Sequence, residues 1–173
     1  MLPIPGFENR YSVTSDGQVY SHRRMDARNR IKWGIFLKQK KNLNGRLTVK
    51  LFDANLKEHH IMVHRLVGKV FLGVKDRSPI DHIDGNPHNN RLENLRACTA
   101  SQNQGNRKIS SNNTSGFKGV CFQKKIGKWQ ASCRINGTRK HGWFETKEGA
   151  ARFYDSVAIE AHGEFAKLNF PRG

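Results

Sequence analysis

Residues 80–103 read IDHIDGNPHNNRLENLRACTASQN. Asp81 and His82 follow Pro79-Ile80 and close a short strand. Gly85-Asn86-Pro87 demands a loop. Leu95 to Cys98 can return as a second strand. Thr99 and Gln102 have the spacing of a capping box, so a helix starts there with Asn103 in its first turn. Two antiparallel strands and a crossing helix would bring Asp81, His82 and Asn103 together. A hard divalent cation such as Mg²⁺ takes one or two protein oxygens, with water and phosphate oxygens completing an octahedron. Asp81 and Asn103 can supply those oxygens, and Asn106 is a rival ligand on a similar helix face. His82 titrates near neutrality when unperturbed, which suits a general base. The plain structural alternative makes Asp81 and Asn86 turn formers and His82 a satisfied core residue.

The charge balance points outward from this cluster. The chain has 173 residues, with 31 Lys plus Arg against 14 Asp plus Glu, and a pI of about 10.3. Such an excess calls for a polyanionic partner, nucleic acid before an acidic membrane surface. The excess is concentrated, since no Asp or Glu occurs from Asn94 to Phe144. The cysteines, Cys98, Cys121 and Cys133, form no CxxC pair, which argues against structural zinc and against a disulfide framework. No apolar run approaches membrane-spanning length and the start lacks a signal-peptide pattern, so a cytoplasmic location is expected.

Upstream, RYSVTSDGQVYS reads as a hairpin turning at Ser15-Asp16-Gly17. GRLTVKLF alternates Leu47, Val49 and Leu51 with Arg46, Thr48 and Lys50, a strand with one apolar and one basic face that can lie along phosphates. From Ile61 the spacing of Val63, Leu66, Val67, Val70 and Phe71 predicts a helix ending at Gly73, with His64 beside its apolar stripe as a structural residue. Downstream, SSNNTSG (110–116) reads as a polar linker. GVCFQ, KWQASCRIN and TRKHGWF predict three short strands turning at Ile126-Gly127 and Asn136-Gly137. In the second, Trp129, Ala131, Cys133 and Ile135 face one way and Gln130, Ser132 and Arg134 the other. A helix follows Thr146, with Ala150, Tyr154, Val157, Ala158 and Ala161 on one face and Gly163 as its stop.

Over DHIDGNPHNNRLENLRACTASQN the sequence resembles the HNH nucleases, most closely the phage-type HNH homing endonucleases. IMVHRLVGKVF, with His64, matches the same family. IPGFENRYSVTSDGQVYS resembles the small module that often precedes this core. The resemblance implies that His82 is the general base, that Asp81 and Asn103 bind the metal, and that Asn94 braces the loop carrying the His. Residues 115–171 (SGFKGV, KWQASCRINGTRKHGWF, FETKEGAARFYDSVAIEAHG and LNFP) resemble the AP2 DNA-binding domain. That likeness implies a three-stranded sheet backed by one helix and set into the DNA major groove, with Lys118, Arg134 and Arg139 touching DNA. Cys121, Ser132 and His141 depart from the residues usual in the plant proteins, so no target sequence carries over.

These readings converge on an α+β chain in four parts: a β-rich module (1–58), a nuclease core (59–109), a linker (110–116) and an AP2-like domain (117–173). The expected function is site-recognising hydrolysis of phosphodiesters in duplex DNA with Mg²⁺ or Mn²⁺. The rival readings are a non-catalytic DNA-binding regulator and an RNA binder. Arg46, Lys50, Lys118, Lys124, Lys125, Lys128, Arg134, Arg139, Lys140 and His141 are the candidate DNA contacts. A monomer with no obligate protein partner, encoded by a phage and acting in its bacterial host, completes the expectation.

Overall fold

The computed structural model describes residues 1–26, 28–135 and 137–171. It shows a mixed α+β chain of antiparallel strands and, among the described residues, three α-helices. The chain divides into two compact units, Met1–Cys98 and Thr99–Gly173.

The first unit begins with nine strands: β1 Leu2–Pro3, β2 Tyr11–Val13, β3 Val19–Ser21, β4 Arg24–Met25, β5 Ile31–Lys32, β6 Ile35–Phe36, β7 Lys40–Lys41, β8 Leu47–Phe52 and β9 Glu58–Met62. They form a four-stranded sheet in the order β1-β2-β3-β6, a β4-β5 hairpin and a β7-β8-β9 sheet. The Ser15-Asp16-Gly17 turn is present, with Val13 paired to Val19 and Gly17 at φ +79°. The alternation in β8 holds, since Val49 and Leu51 are buried and Lys50 is exposed. Helix α1 spans Val63–Phe71, while Ile61 and Met62, at the start of the expected helix, complete β9 instead. Then come β10 Ile80–His82, a 3₁₀ turn at Leu92–Asn94 and β11 Leu95–Ala97, which pairs with β10.

One core serves all of this unit. Val13, Leu51, Val63, Val67, Ile80 and Leu95 belong to a single buried cluster. Burying each such side chain stabilises the fold by roughly 1.5–3 kcal/mol. The expected boundary at residues 58 and 59 falls inside this core and inside the β8-β9 pairing. Physically, strands of two or three residues cannot bury enough apolar surface alone, so they borrow α1 and the β10-β11 pair. Gly68 sets the approach of α1 to β10, because a Cβ there would overlap the Ile80 side chain.

The second unit opens with α2, Ala100–Gly105, whose Thr99 and Gln102 form the expected capping box. Strands β12 Val120–Gln123, β13 Lys128–Ile135 and β14 Thr138–Phe144 make an antiparallel sheet in that order. The Gln123–Gly127 turn closes as expected, with Gly127 at φ +69°. Asn136 of the expected Asn136-Gly137 turn lies outside the described residues. Helix α3, Lys147–His162, is capped by Thr146 and ends at Gly163. Its Ala150, Tyr154, Val157 and Ala158 pack with Ala131 and Cys133 of β13. Segment 110–116, expected as a bare linker, is partly built in. Ser115 is buried and its Oγ donates to the Val120 carbonyl at 2.8 Å, while Asn113 Nδ2 donates to the Phe117 carbonyl at 2.9 Å. Short polar side chains satisfy local backbone groups there, which a hydrophobicity pattern does not register. The far end of the unit is latched. Asp155 is buried and accepts the backbone N–H groups of Asn169 and Phe170, each at 2.9 Å. Asn169 Oδ1 in turn accepts the Lys118 N–H at 2.6 Å, and Asn169 Nδ2 donates to the Lys118 carbonyl at 3.1 Å.

Candidate active site

The β10-β11 register sets the site. Asp81 pairs with Arg96 and His82 with Leu95. Asp81 and His82 are both buried. Arg96 donates to Asp81 Oδ2 from Nε at 3.0 Å and from Nη2 at 2.9 Å, which fixes the carboxylate's orientation.

His82 Nε2 lies 3.0 Å from Asn90 Oδ1. An amide oxygen can only accept, so Nε2 carries the proton and Nδ1 is the basic nitrogen. Burial lowers the His82 pKa below its ordinary value. Asn90, Asp84 and Asp81 work against that shift, and the Arg46 charge adds to it. The imidazole is therefore neutral at pH 7, the form that can take a proton. The His64 ring stands edge-on to the His82 ring at 5.3 Å. His64 is pushed down to about 3, by burial first and then by Arg46, His82 and Arg65.

The loop between the strands is an amide network. Asn94 is buried, its Oδ1 accepts the Asp84 N–H at 3.0 Å, and its Nδ2 donates to Asp84 Oδ1 at 2.9 Å and to the Asn89 carbonyl at 2.8 Å. For Asp84, burial works to raise the pKa, but hydrogen bonds from the Asn86 backbone and the Asn89 and Asn94 side chains outweigh it and the net shift is downward. The N-terminal hairpin supports the same loop. Leu92 N–H donates to the Ser15 carbonyl at 2.7 Å, and a Cβ on Gly17 would lie 3.0 Å from the Asn90 carbonyl oxygen.

Sequence reasoning missed two residues here. Asn90 holds the His82 ring, and Arg96 holds Asp81. The second had a signal, because pairing the two strands across the loop puts Arg96 opposite Asp81. Asn90 had none, since four Asn residues in one loop look alike. The expected ligands Asp81 and Asn103 belong to different compact units, and Asn103 is exposed on α2. Among the described residues, no group of three or more His, Cys, Asp or Glu could hold a metal ion.

The expected DNA contacts scatter. Arg134 and Arg139 face each other across β13-β14, both exposed, and Arg139 Nη2 donates to Ser132 Oγ at 3.0 Å. His141 is exposed on β14 opposite Ser132, and Lys124 and Lys125 are exposed in the β12-β13 turn. Lys128 pairs with Glu145 at 2.8 Å, Lys140 with Glu160 at 2.9 Å and Lys50 with Glu58 at 2.9 Å. Arg46 is half-buried, and its Nη1 is buried with no hydrogen-bond partner. Lys118 turns inward and donates to the Gly105 carbonyl, with its pKa brought down to about 8, chiefly by burial.

A neutral imidazole and an oriented carboxylate in a strongly basic chain are groups that hydrolysis of a phosphodiester could use. Comparison with known proteins narrows that reading. The family described as HNH endonuclease matches residues 62–104, and the NUMOD4 motif matches residues 2–52. An uncharacterised HNH endonuclease, L560 of Acanthamoeba polyphaga mimivirus, is 35% identical over 143 residues, covering 80% of this chain and 71% of that protein. Protein 3.8 of Escherichia phage T7 is 38% identical over 91 residues, covering 51% of this chain and 74% of that protein. The chain belongs to the HNH endonuclease family. An ethylene-responsive transcription factor of Arabidopsis thaliana, ERF017, is 38% identical over 65 residues, covering 36% of this chain and 35% of that protein. A solved structure described as DNA binding and cleavage by the HNH homing endonuclease I-HmuI aligns over 94% of this chain and 92% of that one, at 23% identity and a TM-score of 0.47. Among the described residues, no helix is long and apolar enough to cross a membrane.

Proposed function

We propose that the chain is a homing-type DNA endonuclease that hydrolyses phosphodiesters of duplex DNA with Mg²⁺ or Mn²⁺. The observation that carries this reading is the buried His82–Asn90 hydrogen bond at 3.0 Å, which commits the imidazole to accept a proton at Nδ1. His82 takes the proton of the attacking water. Asp81, oriented by Arg96, is a ligand to the cation, and Asn94 keeps the loop closed around Asp84. When bound, the cation supplies charge stabilisation at the scissile phosphate and the departing oxygen. The C-terminal sheet, AP2-like, lies in the major groove with Arg134, Arg139 and His141 toward DNA, since a β-ribbon fits that groove and Arg reads guanine. Lys124 and Lys125 supply phosphate contacts.

Plasmid DNA with purified protein and Mg²⁺ tests this at fixed salt, because phosphate contacts weaken steeply with salt. Cleavage by wild type, lost in His82→Ala with binding kept, supports the enzyme. Binding without cleavage under any divalent ion would make the chain a regulator instead.

A further inference from the structure

From Gly17 to Phe52 the chain carries ten Lys and Arg residues and a single acid, Asp26. Arg30 already pairs with that acid at 2.8 Å. Set among these cations are large apolar side chains that the fold leaves outside. Trp33 is 68% exposed, Ile35 57% and Phe36 58%. Consecutive strand residues point to opposite faces, so β6, the edge strand of its sheet, is apolar and uncovered on both. Large apolar side chains left on a surface together mark a place where something binds. The segment is held in place. Gly34 passes so close to Tyr20 that a Cβ there would collide with the Tyr20 hydroxyl. Phe36 pairs with Tyr20 across β3-β6, and the two rings meet edge-on at 5.2 Å. The Arg23 guanidinium lies over the Trp33 ring, 4.9 Å from its centroid. A cation thus covers one face of the indole, and the exposure falls on the rest of the residue.

We infer that Trp33, braced by Arg23, is a stacking platform for an unpaired base of the DNA. This rests on the nuclease reading above for the identity of the nucleic acid. Phosphate oxygens can use the surrounding Lys and Arg but gain nothing from an indole face. A base inside the duplex has its own faces covered by its neighbours. A base that has left the stack offers a free π-face, and an aromatic side chain takes it whatever its sequence. A second copy of the chain is the other occupant an apolar edge could take. It would set these cations against their own copies, and like charges repel. The platform therefore favours DNA whose strands have locally parted, a preference that groove and phosphate contacts do not supply.

Binding in EDTA tests the platform, because cleavage plays no part in it. The probes are a duplex carrying a bulge of unpaired thymines and the same duplex without the bulge, at one salt concentration. Wild type should prefer the bulged probe. Trp33→Ala should lose about 5- to 150-fold on it while changing little on the paired one. Trp33→Phe keeps a π-face and should retain most of the preference. A wild type without the preference overturns the inference. So does a Trp33→Ala variant that binds the bulged probe as wild type does, or that loses equally on both probes. A slower-to-faster or faster-to-slower change of sedimentation in Trp33→Ala, with both DNA affinities intact, would make this face a contact between copies and overturns it too. A second readout does not depend on Trp33→Ala folding. Trp33 emission, taken as the difference between wild type and Trp33→Phe, should be quenched by oligothymidylate, and an unquenched Trp33 overturns the inference equally. A wild type that cuts under no divalent ion sinks the nuclease reading alone, since the stacking preference is read without metal.

Discussion

Replacing Asn90 by Asp tests how the site prepares its base. Asn90 Oδ1 sits 3.0 Å from His82 Nε2, and both residues are buried. The Asn90 Nδ2 has no hydrogen-bond partner, so exchanging it for oxygen sacrifices no existing bond. Asp keeps the acceptor and the shape but adds a negative charge. In wild type, burial holds the His82 pKa below its ordinary value, and the imidazole is neutral at pH 7. A carboxylate within about 4–6 Å favours the imidazolium by roughly 10- to 1000-fold. Protonated His82 cannot accept a proton, so the acid limb of the cleavage profile should move toward higher pH by about one to three pH units. Asn90→Ala removes the acceptor without adding charge and should slow cleavage by roughly 5- to 150-fold, corresponding to about 1–3 kcal/mol for an orphaned buried donor, without that displacement. Single-turnover cleavage of a duplex at saturating Mg²⁺, from about pH 5.5 to 9, reads both effects. An Asn90→Asp acid limb coinciding with that of wild type would refute the reasoning, because the hydrogen bond would then have no hold on the base.

His64 makes the first unit acid-sensitive. Its folded pKa of about 3 lies below the ordinary 6.5, so between those values the unfolded chain takes up a proton that the folded chain refuses. Stability should fall as pH drops through that window, by up to about 1.4 kcal/mol per pH unit. His64→Asn should flatten the dependence of the urea midpoint on pH. Asn94→Ala removes three hydrogen bonds from the catalytic loop and should destabilise the first unit by roughly 2–4 kcal/mol in urea unfolding, with cleavage reduced and duplex binding intact. Asp155→Ala strips the acceptors from the Asn169 and Phe170 backbone and should cost the second unit roughly 2–4 kcal/mol, read as a lower melting temperature. Lys124→Ala with Lys125→Ala should weaken duplex binding about equally across sequences and lower the salt slope by about 2.

Local chemistry was legible because neighbouring residues decide it. The Thr99–Gln102 cap, the Ser15–Gly17 turn, the stop at Gly163 and the inward set Trp129, Ala131, Cys133 and Ile135 all follow from spacing, and the structure contains them. Positions whose partners lie far along the chain were less legible. Nothing near Lys118 says that its ammonium turns to Gly105, and nothing near Lys140 says that Glu160 meets it from another element. A basic residue in a basic window reads as a surface contact until its neighbours in space are known. The shared core of the first unit was hidden for a similar reason. Val13 and Val67 look like members of separate modules until both are found in one cluster.

The Asp155–Asn169 latch has a consequence for synthesis on the ribosome. The core of Met1–Cys98 needs nothing downstream and can consolidate while the rest is still being translated. The second unit cannot shut until Asn169 and Phe170 leave the exit tunnel, because they bond the start of its sheet and the middle of α3. At roughly 5–20 residues per second, the nascent chain spends several seconds with a finished front half and an open back half. A chain cut short before Asn169 would lack the partners of Asp155 and of the Lys118 backbone, and its second unit should be the more readily digested by proteases.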